Sequence, residues 1–148
     1  MLTVPARAFE PWEAALVESA RVARLATIAP DGRPHLVPVC FAWTEGRFAI
    51  AIDEKPKRSG PLARVRNIER DPRVTLLVDH YDDDWTHLAW LRIDGKAAVL
   101  SRGDARPDIL AALRARYQQY ASMDIESRPL ILITPSRIAS WRFTGQGP

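Results

Sequence analysis

The chain has 148 residues, of which 47% are hydrophobic and 26% are charged, and its formal net charge is +3. This composition excludes a disordered chain and predicts one folded domain over residues 1–148. The apolar runs are shorter than the roughly 20 residues of a membrane-spanning helix, and the first residues lack the layout of a signal peptide. We therefore expect a cytoplasmic protein without a membrane partner. Cys40 is the single cysteine, which excludes an internal disulfide and a cysteine cluster for a metal.

The first third of the chain is predicted to form a helix and three strands. Residues 9–22 place an apolar stripe at helical spacing, which is typical of an amphipathic helix that covers a sheet. Three β-rich runs follow, VARLATIA (22–29), HLVPVCFAW (35–43) and RFAIAI (47–52). Because tight-turn residues separate these runs, we expect them to pair as an antiparallel meander.

The rest of the chain is predicted to add three strands and two helices. The Asp94-Gly95 pair indicates a bulge or a bend inside one strand, and Pro135 is expected to break another. The order of elements is not β-α-β-α, so we predict a mainly β fold, an antiparallel barrel of six strands with two or three covering helices. The predicted elements are a helix over 61–70, strands over 73–81 and 87–100, a helix over 107–120 and a strand over 130–143.

Familiar catalytic motifs are missing from the sequence. There is no nucleophile elbow, no phosphate-binding loop and no H-E-x-x-H zinc motif. The three histidines, His35, His80 and His87, fall on different segments without ligand spacing. We therefore predict no metal site and name no catalytic side chain.

The strongest local signal in the sequence is a cluster of basic residues. The segment IDEKPKRSGP (52–61) places Lys55, Lys57 and Arg58 within four positions, and residues 55–73 contain seven basic side chains. Basic side chains at a strand-to-helix junction can bind a phosphate together with the free amides of the first helical turn. The alternative is a solvated loop of scattered charges.

The predicted helix that follows could extend such a site. Arg64 and Asn67 lie three residues apart, so they share one helical face, where they could contact an anion or simply meet solvent.

Two other stretches contain candidate binding residues. In DHYDDDWTH (79–87), Tyr81 and Trp85 could stack on a flat ring, lie across a subunit contact or pack under a loop. The acidic triplet in this stretch is most simply a solvated turn. Pro38 deletes one ladder hydrogen bond, so its strand could offer backbone groups to a planar ring or serve as a protected edge strand.

The order of these parts resembles a known family. The stretches RVARLATIAPDGRPHLVPVCFAW, DEKPKRSGPLARVRNIERDPRVTLLVD and LRIDGKAAVL are together similar to the pyridoxamine-phosphate-oxidase-like split β-barrel flavoproteins. The LLVDHYxDDW strand end is similar to the branch that uses the deazaflavin coenzyme F420. The resemblance implies a homodimer with cofactor sites at the subunit interface.

The resemblance also implies a role for each candidate residue. Lys55, Lys57 and Arg58 would contact the cofactor phosphate, with Arg64 and Asn67 behind them. The remaining candidates divide into two groups: Pro38, Val39 and Cys40 would run alongside the cofactor ring, and His80, Tyr81 and Trp85 would reach the partner's cofactor or line the substrate mouth.

The sequence departs from true pyridoxamine phosphate oxidases at two motifs. Their S-R-K phosphate triplet reads D-E-K-P-K-R here, and their C-terminal arginine motif is not evident in SRIASWRF, so we do not expect vitamin B6 oxidation. The predicted function is hydride transfer between F420 and an unsaturated small molecule. The alternatives are an FMN-dependent oxidoreductase of the same fold and a non-catalytic module that stores a cofactor or binds nucleic acid. The clustering of the basic residues disfavours a nucleic-acid partner.

Overall fold

The computed structural model describes residues 6–52, 62–101 and 106–145. Lys55, Lys57 and Arg58 therefore lie outside the described residues. The described helices are α1 (Pro11–Ser19), α2 (Ala63–Arg70) and α3 (Pro107–Arg116), with short 3-10 turns at Trp85–His87 and Gln118–Ala121. The described strands are β1 (Ala23–Ile28), β2 (Pro34–Val39), β3 (Ala42–Thr44), β4 (Arg47–Ala51), β5 (Arg73–His80), β6 (Ala89–Leu100) and β7 (Leu130–Arg142).

These seven strands form one antiparallel sheet in the order β2-β1-β5-β6-β7-β4-β3. β2 and β3 lie at opposite edges of this sheet, yet only Cys40 and Phe41 separate them in the chain. Three peptide steps span at most about 11 Å, so the two edges must approach each other at this point and the sheet curls into a half-barrel. The predicted mainly β barrel with covering helices is confirmed.

The predicted antiparallel pairing of the three runs is confirmed, but the middle run is not one strand. The run 35–43 divides at Cys40 and Phe41, and its halves pair with β1 on one side and β4 on the other. The side chain of Phe41 is fully buried, and its backbone groups bind the Tyr117 hydroxyl instead of a neighbouring strand. This division gives seven described strands where six were predicted.

The predicted bulge at Asp94-Gly95 is confirmed, and the predicted break at Pro135 is wrong. Gly95 pairs with Pro135 and Asp94 pairs with Arg137, so Ser136 is an extra residue in β7 and the strand continues past the proline. A Cβ on Gly95 would lie 2.4 Å from the Thr134 carbonyl oxygen, so only glycine fits this close approach of two backbones.

The outer helices are shorter than predicted. α1 begins with a capping box in which Glu10 and Glu13 bind each other's backbone N–H groups, and it ends at Ser19. Its last carbonyls, on Val17, Glu18 and Ala20, accept hydrogen bonds from the Arg116 guanidinium. α3 ends at Arg116 because Tyr117 adopts an extended backbone, and a 3-10 turn follows.

The core has two parts, one on each side of the chain crossing at Phe41. α1 and α2 pack on the larger part, which includes Leu25, Phe48 and Leu76. α3 packs on the smaller part through Ile109 and Leu113. No helix in the described ranges is long and apolar enough to span a membrane.

Tyr117 joins the two parts of the core. Its hydroxyl accepts a hydrogen bond from the Phe41 N–H at 3.0 Å and lies 3.1 Å from the Phe41 carbonyl and 2.9 Å from the Arg21 carbonyl. A hydroxyl has one hydrogen, so it donates to one of these two carbonyls at a time. A single buried group thus satisfies the backbone where the chain changes from one sheet edge to the other.

We predict that Tyr117→Phe lowers the free energy of unfolding by about 1–3 kcal/mol, because the buried backbone groups of Phe41 lose their partner. Urea denaturation followed by circular dichroism measures this change. Tyr81→Phe is the matched control, since the Tyr81 side chain is 67% exposed and its change should stay within about 0.5 kcal/mol. Equal stability of the two variants would contradict the prediction.

Candidate functional site

Four of the predicted site residues line one cavity of about 230 Å³, which we call the β2–α2 cavity. Pro38, Val39 and Cys40 come from the end of β2, and Arg64 comes from the first turn of α2. The other lining residues are Val22, Ile50 and Ala51. The walls are mainly apolar and carry one guanidinium, which suits a flat molecule with an anionic group.

The sheet edge fixes the β2 side of this cavity. Pro38 pairs with Arg24 and Val39 pairs with Ala23, so consecutive side chains point to opposite faces of the sheet. β2 is an edge strand of the described sheet, as the proline predicts. Cys40 follows at the turn towards β3 and is a free, half-buried thiol.

α2 supplies the other side. Arg64 and Asn67 are both buried, at 8% and 3% exposure. The Asn67 amide donates a hydrogen bond to Thr27 Oγ1 at 3.0 Å, which attaches α2 to β1. The proposed contact of Asn67 with a phosphate stays a prediction. The apolar residue Leu62 occupies the N-cap position, so no side-chain oxygen there competes for the first-turn amides.

Two lining residues of this cavity stand on either side of the basic segment in the chain. Ala51 directly precedes residues 52–61, and Arg64 follows them on α2. The contacts predicted for Lys55, Lys57 and Arg58 stay predictions.

A second cavity, of about 460 Å³, contains two of the other predicted residues. We call it the indole cavity because Trp90 and Trp141 are among its lining residues. His80 and Tyr81 line it, whereas Trp85 lies in the following loop, 64% exposed. The full lining is Leu77, Asp79, His80, Tyr81, Leu88, Ala89, Trp90, Arg92 and Trp141.

The loop beside the indole cavity is organised by its acidic residues. Asp84 accepts hydrogen bonds from the backbone N–H and the hydroxyl of Thr86, which lowers the pKa of Asp84. The Asp84 N–H donates to Asp82, and His87 Nδ1 lies 3.1 Å from Asp82 Oδ2, so both contacts lower the pKa of Asp82. The same carboxylate, with Asp84 nearby, raises the pKa of His87.

The sequence did not single out Trp90, Arg92 and Trp141. Trp90 and Arg92 alternate with buried residues along β6, a pattern that predicts one common face, but nothing local in the sequence indicates that Trp141 pairs with Trp90. The register between two strands far apart in sequence depends on tertiary pairing.

Comparisons with known proteins agree with this architecture. A family model described as pyridoxamine 5'-phosphate oxidase matches residues 10–142. A curated relative, the 5a,11a-dehydrotetracycline/5a,11a-dehydrooxytetracycline reductase of Streptomyces rimosus subsp. rimosus, is 31% identical over 123 residues, which cover 82% of this chain and 75% of the relative.

Solved structures share the fold. A conserved hypothetical protein of Mycobacterium tuberculosis is 25% identical with a TM-score of 0.72, over 92% of this chain and 86% of that one. A structure described as an F420 reductase is 23% identical with a TM-score of 0.66, over 89% of this chain and 98% of that one. At this identity the second likeness concerns the fold alone.

We predict that Asp82→Asn lowers the pKa of His87, because the hydrogen-bonded carboxylate is the first cause of its raised value. An NMR titration of the histidine ring protons measures the change. Asp83→Asn is the control, since Asp83 makes no ion pair with His87 among the described residues.

The raised pKa of His87 makes the stability of the folded loop depend on pH. Charged His87 stabilises the loop fully below its unfolded pKa of 6.5, and that contribution disappears as the pH rises through the folded pKa. A His87 pKa that is unchanged in Asp82→Asn would contradict both statements.

Proposed function

Because its residues 10–142 match the family model, this chain belongs to the pyridoxamine 5'-phosphate oxidase family, and we propose that it is an oxidoreductase that uses coenzyme F420. In this proposal a hydride passes between the deazaflavin cofactor and an unsaturated small organic substrate. The departures from the S-R-K triplet and the C-terminal arginine motif argue against pyridoxamine phosphate as that substrate.

The observation that carries the proposal is the β2–α2 cavity. It joins Pro38, Val39 and Cys40, the residues expected beside a cofactor ring, to Arg64 on α2 and to Ala51 at the end of β4. A tricyclic ring with an acidic tail needs this combination of an apolar slot and nearby positive charge.

The relatives support the redox part of the proposal. The Streptomyces rimosus relative is by its name a reductase, and at 31% identity it covers most of this chain. The F420 reductase adds a fold neighbour that uses the proposed cofactor class.

The residues of the cavity fit the proposed cofactor. Arg64 and the first-turn amides of α2 would face an anionic group, and Lys55, Lys57 and Arg58 would add positive charge from the segment between β4 and α2. Val22 and Ile50 present apolar walls that would exclude water from the ring. The backbone of Pro38–Cys40 would orient the ring, and Asn67 would hold α2 in place through Thr27. The bound coenzyme would supply the hydride chemistry.

The choice of F420 over FMN rests on charge. The F420 tail contains a phosphodiester and glutamate, so it is more negative than FMN. Of the seven basic residues within residues 55–73, Arg64 lines the cavity, whereas Arg73 pairs with Asp71 and Arg70 donates to the Ile28 carbonyl. Each exposed pair made by Lys55, Lys57 or Arg58 would contribute about 0.2–1 kcal/mol, so these residues would favour the more acidic cofactor.

We predict that the double variant Lys55→Ala/Lys57→Ala binds F420 at least about tenfold more weakly than the unchanged chain, because two charge-assisted contacts are lost. Fluorescence titrations with F420, and in parallel with FMN, measure the affinities. The control Arg33→Ala/Arg137→Ala removes the same charge from residues outside the β2–α2 cavity.

Each result of the titrations has a defined meaning. Unchanged F420 affinity in the lysine variant would overturn the phosphate assignment. Tight binding of FMN with no binding of F420 would replace the cofactor by FMN. Tight F420 binding without turnover of any unsaturated substrate would indicate a cofactor-storing module.

We further propose that the protein is a homodimer with cofactor sites at the boundary between subunits. We expect light scattering to give twice the 16.7 kDa mass of the chain. A mass of one chain at micromolar concentration would contradict both the dimer and a cofactor site between subunits, and the F420 titration would then show whether the single chain binds the coenzyme.

A further inference from the structure

Two tryptophans are neighbours in the wall of the indole cavity. Trp90 and Trp141 are paired residues on β6 and β7, so their side chains stand next to each other on the same face of the sheet. Leu77 on β5 continues this wall, and the exposed ring of Tyr81 lies at its rim. Paired indoles and a tyrosine suit a planar ring, which can stack on them.

The cavity carries uncompensated positive charge. Arg92 is exposed, with its guanidinium carbon 5.7 Å from the Trp90 ring centroid, and it has no carboxylate partner within the described ranges. Asp79 also lines the cavity, but it pairs with Arg24 at 2.8 Å. The remaining titratable groups are His80, which lies 4.0 Å from Asp82, and Tyr81. An anion is therefore the charge that this cavity favours.

Trp141, which lines the cavity, also carries a donor that lacks an acceptor among the described residues. Trp141 Nε1 is buried and has no hydrogen-bond partner among the residues that the structure describes. A buried N–H without an acceptor is costly, so such groups are normally satisfied by a water or a ligand. An oxygen atom of a molecule in the cavity would supply the acceptor.

From these three observations we propose that the indole cavity binds a planar aromatic or conjugated molecule that carries an oxyanion, as a carboxylate, a phenolate or an enolate. Its volume of about 460 Å³ lies within the range of small-molecule sites, about 300–1,000 Å³. The ring stacks on Trp90 and Trp141, and the oxyanion meets Arg92 and the Trp141 N–H. The binding of this molecule does not rest on the proposed function.

The test measures binding to the full chain without cofactor by isothermal titration calorimetry. The probes are 2-naphthoate and the neutral 2-naphthalenemethanol, which share one ring system. We expect naphthoate to bind at least about fivefold tighter than the alcohol, as a contact between a charged group and an exposed guanidinium allows.

Single variants test which residues cause the preference for naphthoate over the neutral alcohol. Arg92→Gln should abolish the preference, and Trp141→Phe should reduce it because the N–H is lost while an aromatic ring is kept. The matched control is Arg137→Gln, an exposed arginine on the neighbouring strand that does not line the cavity and should keep the preference. Thermal melting of each variant shows that its fold is intact.

Three results would overturn the inference: no naphthoate binding, the same preference in Arg92→Gln, or naphthoate affinity that falls as the protein concentration rises through the dimer range. The third would mean that a second copy of the chain fills the cavity. A parallel F420 titration separates the two proposals. Loss of naphthoate binding with intact F420 binding would refute only this inference, and the reverse would refute only the cofactor assignment.

Discussion

The hydroxyl of Tyr117 fixes the point on which the geometry of the whole sheet depends. Between Val39 and Ala42 the chain passes from one edge of the sheet to the other, so the backbone of Phe41 cannot join a ladder. The Tyr117 hydroxyl accepts a hydrogen bond from the Phe41 N–H and lies within hydrogen-bond distance of the Phe41 carbonyl. Either backbone group would be costly to bury without a partner. Because Cys40 directly precedes this crossing, the contact also fixes the β2 side of the proposed cofactor cavity.

One row of paired residues runs across the sheet from the β2–α2 cavity to the indole cavity. Pro38, Arg24, Leu77 and Arg92 are successive register partners on β2, β1, β5 and β6, so their side chains share a face. Three strand spacings, about 14 Å, separate the first from the last. The Arg24–Asp79 ion pair lies between them and neutralises the carboxylate that lines the indole cavity. Arg92 therefore keeps its positive charge at one end of the row, where an anionic molecule is proposed to bind.

Local sequence patterns predicted the secondary-structure elements that depend mainly on neighbouring residues. The helix over 61–70, the strands over 73–81 and 87–100 and the Asp94-Gly95 bulge were all predicted from the sequence. The division of the middle run was not predicted, because the partner of Phe41 is Tyr117, 76 residues away, and no local pattern indicates that contact. Pro38–Cys40 and Arg64 line one cavity, and their contacts with a cofactor stay a prediction. The sequence did not indicate the indole cavity because its two tryptophans become neighbours only through strand register.

The extra residue in β7 decides which way Trp141 faces. If Ser136 instead paired with Asp94 in a regular ladder, the register set by Gly95 and Pro135 would continue unchanged, and Ser140 would stand opposite Trp90. Successive side chains of a strand point to opposite faces of the sheet. A shift of one residue would therefore turn the indole of Trp141 towards the barrel interior. The bulge thus changes which residues of β7 face the barrel interior. Before the bulge, β7 contributes side chains to the core, and after it the same strand contributes Trp141 to the indole cavity.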